Sequence, residues 1–150
     1  MLLCCRNGHH AAIQVMKQHH QFKSVLAMLP KKKSTPLIEA CKSGSIEIVD
    51  ILLEHVDAAA INEQDYEGNT ALYHACKEER LKVVQALLTF PKLDLNIKNK
   101  LGNTALHEAI DCRGTILQTM LAMPKLDVNV QNKVGWYSFS VCFLVIIIHF

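Results

Sequence analysis

The chain has 150 residues, half of them apolar and a fifth charged, with a formal net charge of +2. That balance favours a folded domain over a disordered chain and gives no push toward nucleic acid. The one basic run, Lys31-Lys32-Lys33, lacks flanking aromatics and reads as a solvated turn.

From the N-terminus, Met1-Leu-Leu-Cys-Cys runs into Arg6 and polar residues too soon for a secretory leader. Ile13 and Met16, then Phe22, Val25, Leu26, Met28 and Leu29, mark helical stretches, and Pro30 with the lysine run closes the segment. Residues 1–32 are expected to be helical, either a degenerate copy of the unit that follows, carrying an insertion, or a cap of their own.

Next come Ser34-Thr-Pro-Leu-Ile-Glu-Ala40, Asn69-Thr-Ala-Leu-Tyr-His-Ala75 and Asn103-Thr-Ala-Leu-His-Glu-Ala109. Thr35 and Thr70 are 35 residues apart, Thr70 and Thr104 are 34 apart, and Gly102 and Gly135 are 33 apart. Self-similarity at that period indicates a stack of supersecondary units. Thr35, Thr70 and Thr104 stand where a hydroxyl caps the first helix of a unit, and Pro36 takes a position that needs no N–H. Gly68, Gly102 and Gly135 stand in the connecting turn, where positive φ is required. Leu37/Ala40, Leu72/Ala75 and Leu106/Ala109 form a narrow apolar stripe on that helix. The second helix is more apolar, with Ile46, Ile48, Val49, Leu52 and Leu53 in one copy and Leu81, Val83, Val84, Leu87 and Leu88 in the next. A short helix pair that is apolar on several sides needs a neighbour above and below. The expectation is an all-α solenoid of helix-turn-helix pairs over residues 33–133, with units near 33–66, 67–99 and 100–133.

These motifs resemble the ankyrin-repeat family. The best-matched unit has Asp65, Gly68, Thr70, Leu72, Ala75, Val83-Val84, Leu87-Leu88 and Asn96. The resemblance implies hairpin-like finger loops and a concave groove lined by the first helices. It also implies a non-catalytic scaffold or adaptor, a monomer that binds a protein partner and needs no cofactor. On that alignment the fingers present Tyr66, Glu67 and Asn69, then Lys100, Leu101 and Asn103, then Lys133 and Trp136. The groove presents Lys42 and Ser43, Lys77 and Glu78, Asp111 and Cys112. His107 fits the signature position, whose ring links turn and helix in family members, and His74, one place later, is expected to face the groove. Asn96 and Asn129 resemble loop asparagines that are hydroxylated in some ankyrin proteins.

Cys5, Cys41 and Cys76 share one register, and Cys4 and Cys142 share that of Ala40, Ala75 and Ala109. They are expected to act as small buried hydrophobes. Cys112 falls at an exposed inner-helix position. No C-x-x-C pair or zinc spacing occurs. His9-His10 and His19-His20 with Cys4-Cys5 are the nearest approach to a ligand set, and no metal is expected. No nucleophile elbow, phosphate loop or kinase signature is present, so no catalytic residue is assigned. Repeat-phased thiols suit a reducing compartment, with cytoplasm as the default and nucleus as the alternative.

Asn132-Lys-Val-Gly135 opens a fourth unit, and Phe139 and Cys142 match Leu106 and Ala109. Phe143-Leu-Val-Ile-Ile-Ile148 then lacks the polar side that a capping unit carries. The favoured expectation for residues 134–150 is a truncated fourth repeat with an atypical apolar tail, in a chain that is a fragment or a gene model whose tail is foreign to the family. The alternative is a membrane-associated protein anchored by that tail, although it is shorter than a spanning helix requires. A third reading makes the chain the recognition segment of a larger enzyme or channel.

Overall fold

A computed structural model describes residues 1–18, 34–109 and 114–137. It contains α1 (Leu2–Arg6), α2 (His10–Lys17), α3 (Pro36–Ser43), α4 (Ile46–Leu53), α5 (Ala58–Ile61), α6 (Ala71–Lys77), α7 (Leu81–Leu88), α8 (Ala105–Ala109) and α9 (Thr115–Leu121). Among the described residues the only β pairing is an isolated antiparallel bridge between Gln131 and Tyr137. The all-α expectation holds. The apolar stretch 22–29, the lysine run and the tail 138–150 lie outside the described residues.

The helices form two columns. In one, α1 packs on α3, α3 on α6 and α6 on α8; in the other, α2 packs on α4, α4 on α7 and α7 on α9. Each pair also packs within itself. The first eighteen residues therefore stack on the next pair as the later pairs stack on one another.

Local chemistry explains the helix ends. Thr35 Oγ1 accepts from Ile38 N and Thr70 Oγ1 from Tyr73 N, both at 3.2 Å, so both hydroxyls cap as expected. Pro36 takes the first helical position of α3. Gly44 ends α3 in the left-handed region, its N–H bonded to the Ala40 and Cys41 carbonyls. Thr104 departs from the pattern: its N–H donates to His107 Nδ1, and its hydroxyl lies 3.0 Å from the same nitrogen. Helix α5, absent from the sequence expectation, is one turn capped by Asp57, whose carboxylate accepts from Ala59 N and Ala60 N.

The interior runs the length of the stack. Ile13, Ile38, Ile48, Leu52, Leu72, Val84, Leu87, Leu106 and Met120 are all fully buried. Each such side chain contributes about 1.5–3 kcal/mol relative to exposure. Cys5, Cys41 and Cys76 are buried, as their register implies. Burial raises the Cys5 pKa to about 11 and pushes that of Cys41 still higher, so both stay protonated and unreactive. Cys76 Sγ lies 3.6 Å from Met120 Sδ of the next unit.

Candidate docking surface on the finger loops

Three loops, at 62–69, 96–103 and 129–136, project between the helix pairs and share one construction. Asp65 Oδ1 accepts from Glu67 N and Asn69 N; Asn99 Oδ1 accepts from Leu101 N and Asn103 N; Asn132 Oδ1 accepts from Val134 N and Trp136 N. Each turn is thus closed by its own carboxylate or amide oxygen. Gly68, Gly102 and Gly135 have φ of +83°, +83° and +89°. A Cβ on Gly102 would also lie 2.9 Å from Lys133 N, so two constraints exclude a side chain there.

The loops are tied edge to edge. Lys100 N donates to Glu67 O at 3.0 Å and Lys133 N to Leu101 O at 2.9 Å. Asn99 donates to Asn69 Oδ1 and Asn132 to Asn103 Oδ1. Gln64 bridges Gly68 O and Lys98 O, and Lys98 Nζ reaches Gln131 O. A second ladder joins the bases of the loops: Asn62 binds Lys92 O and Asp94 N, and Asn96 binds Lys125 O and Asp127 N.

This bonding corrects part of the expected surface. Asn69 is buried, 3% exposed, and Asn103 is half-buried. Both side chains bond the neighbouring finger rather than face outward. His74 does not face the groove: it is buried, and its Nε2–H donates to Asp65 Oδ2 at 2.8 Å. Lys42 is half-buried near Glu39, while Lys77 and Glu78 are exposed. Asp111 and Cys112 lie outside the described residues. Asn96 is half-buried in its ladder, and Asn129 is exposed.

At the finger tips the expectation of exposure holds. Tyr66, Leu101 and Trp136 are 60%, 62% and 61% exposed, and Glu67, Lys100 and Lys133 are also exposed. Val134, 75% exposed, was not among the expected residues. Its register, shared with Leu101 one repeat earlier and Glu67 two repeats earlier, carried the signal.

Electrostatics separate the framework from the surface. Burial raises the Asp65 carboxyl, but hydrogen bonds from His74, Asn69 N and Glu67 N outweigh it and hold the group below the usual range. Burial lowers His74 in spite of its Asp65 partner, so the ring is neutral at pH 7. Burial likewise lowers His107, which spans from Thr104 to the Trp136 carbonyl at 3.4 Å. Accepting Thr104 N–H at Nδ1 leaves His107 with its proton on Nε2. Contacts between stacked pairs that went unseen in the sequence include Arg6 Nε on the buried Glu39 at 2.6 Å and the Tyr73 hydroxyl on Glu108 at 2.5 Å. Burial and the Glu108 hydrogen bond raise Tyr73, so it remains a donor. Among the described residues no three His, Cys, Asp or Glu gather as metal ligands, and no helix is long and apolar enough to cross a membrane.

The comparisons fit this architecture. The chain is 41% identical over 76 residues to a probable E3 ubiquitin-protein ligase, XBOS33, of Oryza sativa subsp. japonica, covering 51% of the chain and 14% of that protein. It is 30% identical over 86 residues to the human SMC5-SMC6 complex localization factor protein 1, covering 57% and 8% respectively. It is 32% identical over 78 residues to alpha-latroinsectotoxin-Lt1a of Latrodectus tredecimguttatus, covering 52% and 5%. The chain thus spans less than a sixth of the length of these relatives. The family model for ankyrin repeats in three copies matches residues 1–99 and 57–132, across the stacked pairs and their fingers. The chain belongs to the ankyrin-repeat family.

Proposed function

We propose that the chain is a non-catalytic scaffold that binds a protein partner through the tips of its finger loops, with Lys77 and Glu78 of the inner-helix face at the margin. The observation that carries this reading is the row of Tyr66, Leu101, Val134 and Trp136, exposed on loops that Asp65, Asn99 and Asn132 close from within. Exposed aromatic and aliphatic groups on a rigid base lose little entropy on contact, and such residues dominate interface energies. In this reading the chain acts as a monomer in the cytoplasm, consistent with its free thiols at Cys4, Cys5 and Cys41. Asn129, exposed at the end of the loop ladder, is the more accessible candidate for hydroxylation, and intact-mass analysis of cell-derived protein checks for the added oxygen.

The test is a photo-crosslinking amino acid placed at Leu101, compared with one at Gln85 on the outer helix α7. A partner captured from Leu101 and not from Gln85 is the expected result. Equal capture from both, or capture from Gln85 alone, would remove the finger surface from consideration. A second reading follows from the relatives: with 14% of a probable ubiquitin ligase covered, the stack serves as the recognition segment of a larger protein. Under that reading the same fingers bind, and the chemistry resides elsewhere.

A further inference from the structure

The second and third fingers carry more than an apolar row. Residues 97–101 and 130–134 include Lys98, Lys100 and Lys133 and no carboxylate, whereas the first finger carries Glu63, Asp65 and Glu67. Lys100 and Lys133 are exposed, and neither forms an ion pair among the described residues. They hold the same finger position one repeat apart, and Leu101 and Val134 hold the next position in each. The bonds from Lys133 N to Leu101 O and from Lys100 N to Glu67 O keep these tips in register. The surface is therefore two parallel columns, one cationic and one apolar, with Trp136 at one end and Tyr66 and Glu67 at the other.

We infer that this double column docks an extended acidic segment of a partner protein, with carboxylates three residues apart and apolar side chains between them. The inference rests on the finger surface being the docking site. Stacked helices lie about 8–10 Å apart, which sets the step from Lys100 to Lys133. A polyproline-type chain advances about 3.1 Å per residue with three residues per turn, so one edge repeats at about 9 Å. An acidic edge then meets Lys100 and Lys133 in step while the adjacent edge lies along Leu101 and Val134. Glu67 continues the apolar column with a negative charge and repels further acidic sequence, which fixes where the segment ends. The charge match sets orientation and encounter rate, and the apolar contacts supply much of the affinity.

Trp136 is the chain's single tryptophan, so its emission reports occupancy directly. The probe is a repeating Glu-Leu-Pro peptide of about nine residues, with its Lys-Leu-Pro counterpart as control. Titration of the Glu peptide is expected to shift Trp136 emission saturably, and added salt should weaken the binding. Lys100→Glu with Lys133→Glu should reduce affinity about tenfold or more. Lys100→Gln with Lys133→Gln should give a smaller loss, with an unchanged melting curve for both variants. No response to the Glu peptide, equal binding of the Lys peptide, or indifference to both double variants would overturn the inference. A rise in mass that the Lys→Glu pair abolishes would assign the columns to a second copy of the chain and overturn it too. Capture from Leu101 that persists in the Lys→Glu pair would leave the docking surface standing and refute its charge assignment, whereas loss of Leu101-specific capture in the unmodified background strikes at the surface itself.

Discussion

Glu79 has φ +55°, while Gly8 and Gly44, its register equivalents in the preceding pairs, have φ +68° and +75°. A side chain in that region strains the backbone by about 1–2 kcal/mol, partly offset because glycine is more flexible when unfolded. Glu79→Gly should therefore raise stability by about 0.5–1 kcal/mol in urea denaturation; a loss would mean the Glu79 side chain holds a contact that outweighs the strain. At His74 and His107 the sign is set by burial, which depresses both folded pKa values below the unfolded value near 6.5. Their contribution is complete above that value and falls away as acid forces a proton onto each ring. The urea midpoint should drop from about pH 7.5 to about pH 5, and His74→Gln with His107→Gln should flatten the slope. A midpoint that holds or rises over that interval contradicts the assignment. Below about pH 4 the depressed Asp65 carboxyl adds a further loss of the same sign.

Elements differ in how openly their residues announce them. Helices α3 and α6 were legible because a cap acts within one turn: Thr35 and Thr70 bond the backbone three residues on. The positive φ of the finger glycines was legible for the same local reason. Asn69 and His74 were misplaced because their partners lie on another segment: Asn99, thirty residues away, and the turn carboxylate of Asp65. The Asn69 bond exists only after two units have stacked, and the His74 bond only once the turn and helix of its own unit have folded together, so local spacing announces neither. The tip residues Tyr66 and Leu101 were legible because the repeat register places them on the fingers. Trp136 stands in the register of the inward-bonded Asn69 and Asn103, so its exposure does not follow from that register. The same logic separates framework from surface in α7, which packs between α4 and α9 and whose Leu87 is fully buried. Leu87→Ala should cost about 2–5 kcal/mol, read as a lower denaturation midpoint. In a linear stack that loss interrupts coupling between the pairs on either side, so a barely shifted midpoint would show the helix register to be wrong.

At the scale of the molecule, stability and recognition are assigned to different side chains. The columns α1-α3-α6-α8 and α2-α4-α7-α9 bury the apolar stripes, and the Asn62 and Asn96 ladder ties the loop bases. The tips hang from this frame by backbone bonds and by Asp65, Asn99 and Asn132, leaving Tyr66, Leu101 and Trp136 outside. Substitution at the tips should then alter binding without altering folding. The measurement that bears on this most directly is made on one preparation of the Tyr66→Ala, Leu101→Ala double variant: its urea midpoint, and its affinity for the partner captured from Leu101. An unchanged midpoint with binding weaker by about 1–4 kcal/mol is expected. Unchanged affinity, or a midpoint that falls in step with it, would contradict the separation on which the functional reading stands.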